Sequence, residues 1–234
     1  MSKQSNAGTS SAPILTGLTV AWGGTALLIS PMARGLDDPS RLILALIGQA
    51  FFCAVAVAVI CVVLFWERQP IQSIWLRKFR WQSIGWGLLL LGVYYTILFP
   101  LGEWVRRSVG LAGFGTGMDE IMRFPMWFRT IAVLGAGIGE EVLFRGFSVT
   151  RLAMLTGNIR LSAAIALVAF YALHVPMWGW GFALGGLISG AGAMAFCVWR
   201  KDLLAMIVFH TSTDAIGLIL APMLSQWWKT PALF

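Results

Sequence analysis

Glu140, Glu141, Arg145, His174, His210 and Asp214 include the chain's only two histidines, and all six lie in segments otherwise apolar enough to cross a bilayer. An ionised side chain at the centre of a membrane helix costs roughly 2.5–3.5 kcal/mol by insertion scales, so such residues mark a functional site by default. In GAGIGEEVLFRGF, Glu141 and Arg145 are four apart with the acid first, the interval and order at which a helix pairs them on one face. Glu140 is turned about 100° away. That leaves one carboxylate free to point elsewhere and serve as a general base. Phe170 and His174 in FYALH share a face by the same interval, with Pro176 expected to close that helix. His210 and Asp214 in FHTSTD repeat it again, and a carboxylate one turn from an imidazole can fix its tautomer. Thr211, Ser212 and Thr213 lack the surrounding G-x-S-x-G of a hydroxyl nucleophile.

The elements that position these residues are membrane helices. The chain has 234 residues, 58% of them hydrophobic and 12% charged, with a mean hydropathy of +0.79, outside the composition of soluble domains. Apolar runs at 14–30, 42–66, 84–101, 127–147, 161–177, 179–199 and 203–224 each approach the roughly 20 residues a spanning helix needs. The expected fold is therefore all-α, a polytopic transmembrane bundle of about seven spans, with six or eight if the half-polar stretch 103–124 is counted differently. That stretch is expected to lie in the interface. Most of the twelve tryptophans fall near span ends, as an interfacial aromatic belt requires. Spans one to three carry essentially no ionisable residue in their middles and read as scaffold. The later spans read as the site. Small residues four apart, Gly181 with Gly185, Gly186 with Gly190 and Gly135 with Gly139, predict close helix packing.

No composition break divides the membrane domain, expected at 14–226 between a polar tail at 1–13 and a short tail at 227–234, with the motifs in a core at about 127–224. The net charge of +7 arises largely from loops. Arg68, Arg77, Lys78 and Arg80 between spans two and three read as a loop facing anionic lipid, and no nucleic-acid partner is expected. Counting Lys3, Arg151, Arg160, Arg200 and Lys201 with them gives nine basic residues on the side of the N-terminus against seven opposite. This favours a cytoplasmic N-terminus. Cys53, Cys61 and Cys197 form no C-x-x-C pair and are expected as buried small hydrophobes.

The ordered set E-E-x-x-x-R, F-x-x-x-H and H-x-x-x-D, carried by Glu140, Glu141 and Arg145, by Phe170 and His174, and by His210 and Asp214, closely resembles the CPBP family of intramembrane proteases. That family includes CAAX prenyl endopeptidases of the Rce1 type and the bacterial Abi, or bacteriocin-immunity, proteins. The resemblance covers roughly residues 130–220. It implies a glutamate-dependent peptidase acting on a membrane-anchored protein or peptide, in a cavity open to the cytoplasmic leaflet, and a place in the inner membrane of a bacterium. Glu140 would act with His174 to deprotonate a water, and His210 with Asp214 would stabilise the oxyanion. Glu141 with Arg145 would brace the site, and Phe170 would pack beside the histidine. Prenyl-protease members commonly carry Asn where this chain has Asp214. An ionised carboxylate cannot donate to an oxyanion, so Asp214 is expected to orient His210 and leave donation to that ring.

No cofactor is expected. Histidines and carboxylates are zinc-ligand types, and Glu140, His174 and His210 are the set that would hold a metal. However, H-E-x-x-H is absent and no span carries two histidines. Two other functional classes fit the polar residues: a non-catalytic immunity or scaffold protein that keeps the pocket for binding, and a proton-coupled transporter. Paired halves with broken helices in corresponding positions, which a transporter would favour, are not evident.

Overall fold

The computed structural model describes residues 11–32, 41–113 and 116–228, and these form helices joined by turns, with no β-strand among them. The expected tail residues 1–10 and 229–234 lie outside this set, as do the charges of Lys3, Arg34 and Lys229. Helix α1 spans Ser11–Met32, so Ser11 to Pro13 form its first turn. Helix α2 is Arg41–Trp66 and α3 is Trp81–Ser108. The run expected at 84–101 therefore continues through Glu103, and the ambiguous stretch divides into the end of α3 and a short helix α4, Thr116–Met122.

Helix α5 runs continuously over 126–156, as Met126–Glu140, a π-helical stretch Glu141–Ser148 and Val149–Thr156. The helical run Ile159–Arg200 breaks at Gly179, whose φ of 80° and ψ of 169° are open to glycine alone. This gives α6 (159–178) and α7 (180–200), so Pro176 is accommodated within α6 and the break falls three residues later. Helix α8 occupies 203–228, with a π turn at Ile216–Leu220.

Five of these helical stretches are long and apolar enough to cross a membrane. Dividing the one that contains Gly179 and adding α5, whose buried charges lower its hydropathy, gives seven long helices among the described residues, in keeping with the expected number of spans. The protein is an all-α membrane bundle. Its apolar side chains face both ways, since lipid is as apolar as the interior: Leu89, Leu134, Ile138 and Val168 are exposed while Leu143, Phe144 and Phe147 are fully buried. Cys53 and Cys61 also face outward, contrary to expectation, and only Cys197 is buried. A thiol is as well accommodated by lipid as by the core.

Helix α5 is central and packs against α1, α2, α6 and α8. Its last turns are tied to the α2–α3 connection by Arg151. Counted above as a loop charge, Arg151 is instead 1% exposed. Its guanidinium pairs with Glu67 at 2.7 Å and donates to the Ser73 hydroxyl at 2.8 Å. The connection closes this end of the bundle with Ile74 and Trp75, both buried. Removing one member of a buried pair strands the other charge. Glu67→Gln is expected to destabilise the solubilised protein by about 3–5 kcal/mol in thermal or denaturant unfolding, whereas the exposed Lys78→Gln leaves stability within ~0.5 kcal/mol.

Candidate active site

The two glutamates sit where α5 changes from α- to π-helical geometry, Glu140 ending the regular helix and Glu141 beginning the wider turn. Such π segments recur at functional sites. Glu141 is 1% exposed. Its Oε1 lies 3.2 Å from Arg145 Nη1 on its own helix and accepts a 2.7 Å hydrogen bond from His210 Nδ1 on α8. The second contact is not legible from spacing. It depends on the close approach of α5 and α8 at Gly137, where a Cβ would overlap the Thr211 side chain and stand 3.0 Å from its Cα.

His210 is therefore oriented chiefly by Glu141. Asp214, expected to orient the ring, has its Oδ2 3.6 Å from Nε2 instead, on the opposite edge. The four-residue interval brings Asp214 to that edge, while the cross-helix carboxylate takes Nδ1. His174, on α6, is oriented by its own backbone, Nδ1 donating to the Phe170 carbonyl at 2.6 Å. Both rings thus have Nδ1 engaged and present Nε2 to Glu140, at 3.5 Å for His174 and 3.7 Å for His210. These separations exceed a direct N–H···O bond of about 2.7–3.2 Å.

Phe170 does more than pack beside His174, whose ring centroid is 4.4 Å from its own. The Arg145 guanidinium carbon lies 4.2 Å from the Phe170 centroid, and the His210 ring meets it edge-on at 6.4 Å. One aromatic ring therefore lies beside three of the polar residues. A cation over such a ring gains roughly 0.5–2 kcal/mol.

These side chains line a cavity of about 280 Å³. Its walls include Thr25, Gln49, Phe52, Tyr94, Tyr95 and Phe99, so the first three helices are not scaffold alone. Tyr95 donates to the Thr213 carbonyl at 3.4 Å beside the site. The Gln49 amide and the Tyr94–Tyr95 hydroxyls, polar groups in mid-span, were the available signal. Of the glycine pairs, Gly186 and Gly190 receive the Tyr171 ring, while Gly181 and Gly185 meet the 102–113 segment.

From Glu140 the cavity extends past Met177, Trp178, Leu218 and Ile121, toward the end of the bundle away from Ser11 and from the Arg151–Glu67 closure. An apolar groove of about 440 Å³ adjoins it, sharing Leu28, Ile121 and Met177 and walled further by α2 and α4. Arg41 and Glu120 pair at its edge. The start of α1 and the open part of the cavity thus lie at opposite ends of the bundle. Among the described residues, no group of three or more His, Cys, Asp or Glu side chains is disposed to hold a metal ion.

The fold and site define an integral membrane helical bundle with two histidines facing a partly buried glutamate. Residues 122–216, which contain Glu140, Glu141, Arg145, Phe170, His174, His210 and Asp214, match the family model described as Type II CAAX prenyl endopeptidase Rce1-like, a family of proteases. No curated protein and no solved structure matches the chain.

The Gly137 contact has a direct test. Gly137→Ala forces the Thr211 backbone away and is expected to destabilise the solubilised protein by ~1–3 kcal/mol in thermal unfolding. At Gly92, where a Cβ would meet nothing within 4 Å, the same change is expected to be neutral or stabilising by up to ~1 kcal/mol.

Proposed function

We propose that the protein is an intramembrane endopeptidase that hydrolyses a peptide bond in a membrane-anchored protein or peptide by a glutamate- and histidine-activated water. The observation that carries this reading is the convergence of both Nε2 atoms on Glu140 inside a cavity built largely of apolar walls. The match of residues 122–216 to a protease family supports it.

Glu140, with His174, takes a proton from water held between them, and the resulting hydroxide attacks the scissile carbonyl carbon. General-base assistance of this kind contributes about 10²–10⁴-fold. His210, as an imidazolium, keeps one N–H on Glu141 and donates the other, from Nε2, to the oxyanion, a donor of the sort worth about 10²–10³-fold. Asp214, acceptor-only when ionised, balances that positive charge. On collapse of the tetrahedral intermediate, the proton held by Glu140 and His174 passes to the departing amine. Glu141 and Arg145 hold the frame, and Phe170 sets the ring planes. The adjoining apolar groove accommodates the substrate's lipid or transmembrane anchor, which places the cut near that anchor. The inner membrane of a bacterium is the proposed setting.

Glu140→Gln and His174→Ala, in protein that still folds in detergent, are expected to lower cleavage by about 10²–10⁴-fold. Comparing C-termini across the membrane proteome, with and without the Glu140→Gln allele, is expected to reveal the substrate. Cells that behave normally with both substitutions would instead favour a non-catalytic immunity or scaffold role.

The proposed mechanism uses no metal. Activity is expected to survive exhaustive chelation, and a loss restored by zinc would recast Glu140, His174 and His210 as ligands.

A further inference from the structure

At the closed end of the bundle, Arg77, Lys78, Arg80, Arg200 and Lys201 gather around the turn between α7 and α8. Two contacts fix this arrangement: the Leu203 N–H donates to the Trp75 carbonyl at 3.0 Å, and Ser83 donates to Asp202 at 2.7 Å. Both acids at this end are engaged. Glu67 pairs with Arg151, and Asp202 accepts from Ser83 and from the Ala205 N–H. None of the five cations has a carboxylate partner among the described residues.

Arg200 is held in place. Its guanidinium carbon lies 4.4 Å from the Trp86 ring centroid and 5.2 Å from that of Trp199, and the two indoles meet edge to face at 5.8 Å. Its Nε is buried without a hydrogen bond. Around it Phe79, Trp81 and Trp199 are 59%, 79% and 65% exposed. They stand where the spanning stretch Trp81–Ser108 begins and Ile159–Arg200 ends, the depth at which indoles meet lipid headgroups.

We propose that this patch binds the phosphate headgroup of an anionic phospholipid, with Arg200 as the fixed donor and Arg80 and Lys201 as flanking charges. A guanidinium clamped by two rings presents its N–H fork to phosphate with little further loss of freedom. Five unpaired cations favour a headgroup of net negative charge over a zwitterion, because only the former neutralises their field. The connection that supplies Arg77, Lys78 and Arg80 also supplies Ile74 and Trp75 to the closure beneath α5. Bound lipid therefore secures that closure, independently of any catalytic reading of the cavity.

The full chain, purified and reconstituted in phosphatidylcholine alone or mixed with phosphatidylglycerol, tests this by thermal unfolding and by native mass spectrometry of retained lipid. Phosphatidylglycerol is expected to be retained in preference and to raise Tm. Arg80→Gln and Lys201→Gln, both exposed positions, are each expected to weaken that retention roughly fivefold, equivalent to ~1 kcal/mol per charge, and Arg200→Ala more. Equal retention of the two lipids would overturn the proposal. So would an unchanged preference in the Arg80→Gln/Lys201→Gln double variant, or the same stabilisation from inorganic phosphate without lipid.

Discussion

The carboxylate of Glu141 is the contact on which the site depends. Buried on α5, it is held from one side by Arg145 and from the other by His210 of α8. A charge removed from water persists only where partners replace its hydration, so α8 must lie where His210 can reach it. Gly137 makes room for that approach. Once Nδ1 of His210 is committed to Glu141, the ring's other nitrogen faces Glu140 and Asp214. The geometry around Glu140 follows from a stabilising contact.

Helix α6 reaches the same point by a different route. His174 is oriented by a carbonyl of its own helix, and Phe170, whose carbonyl that is, spreads its ring against His174, Arg145 and His210. The glycine break at Gly179 then turns the chain back as α7. Two histidines on different helices thus present the same edge to one carboxylate, each fixed through its far nitrogen. In a medium of low dielectric, such preorganised groups act more strongly than they would in water.

The bundle is asymmetric along its axis. One end is closed by the Arg151–Glu67 pair and the buried Ile74 and Trp75, while the cavity runs from Glu140 toward the other, where α4 and the apolar groove lie. In the proposed reading, a substrate anchored in lipid brings its apolar part along that groove while a peptide bond enters the polar centre.

Hydropathy and the four-residue intervals determine the all-α class, the seven long helices and the pairing of Glu141 with Arg145, because helix periodicity is local and lipid demands helices. The order of Glu140, His174 and His210 along the chain also points to their common site. What the sequence by itself does not contain is the phase of one helix against another. In lipid, outward and inward faces are both apolar, so hydropathy cannot show that Gln49, Tyr94 and Tyr95 line the cavity or that Arg151 is buried against Glu67. Nor can it show that Glu141, rather than Asp214, takes Nδ1 of His210. Those outcomes rest on close packing across helices, at Gly137 above all, and on the need of each buried charge for a partner that only the folded bundle brings within reach.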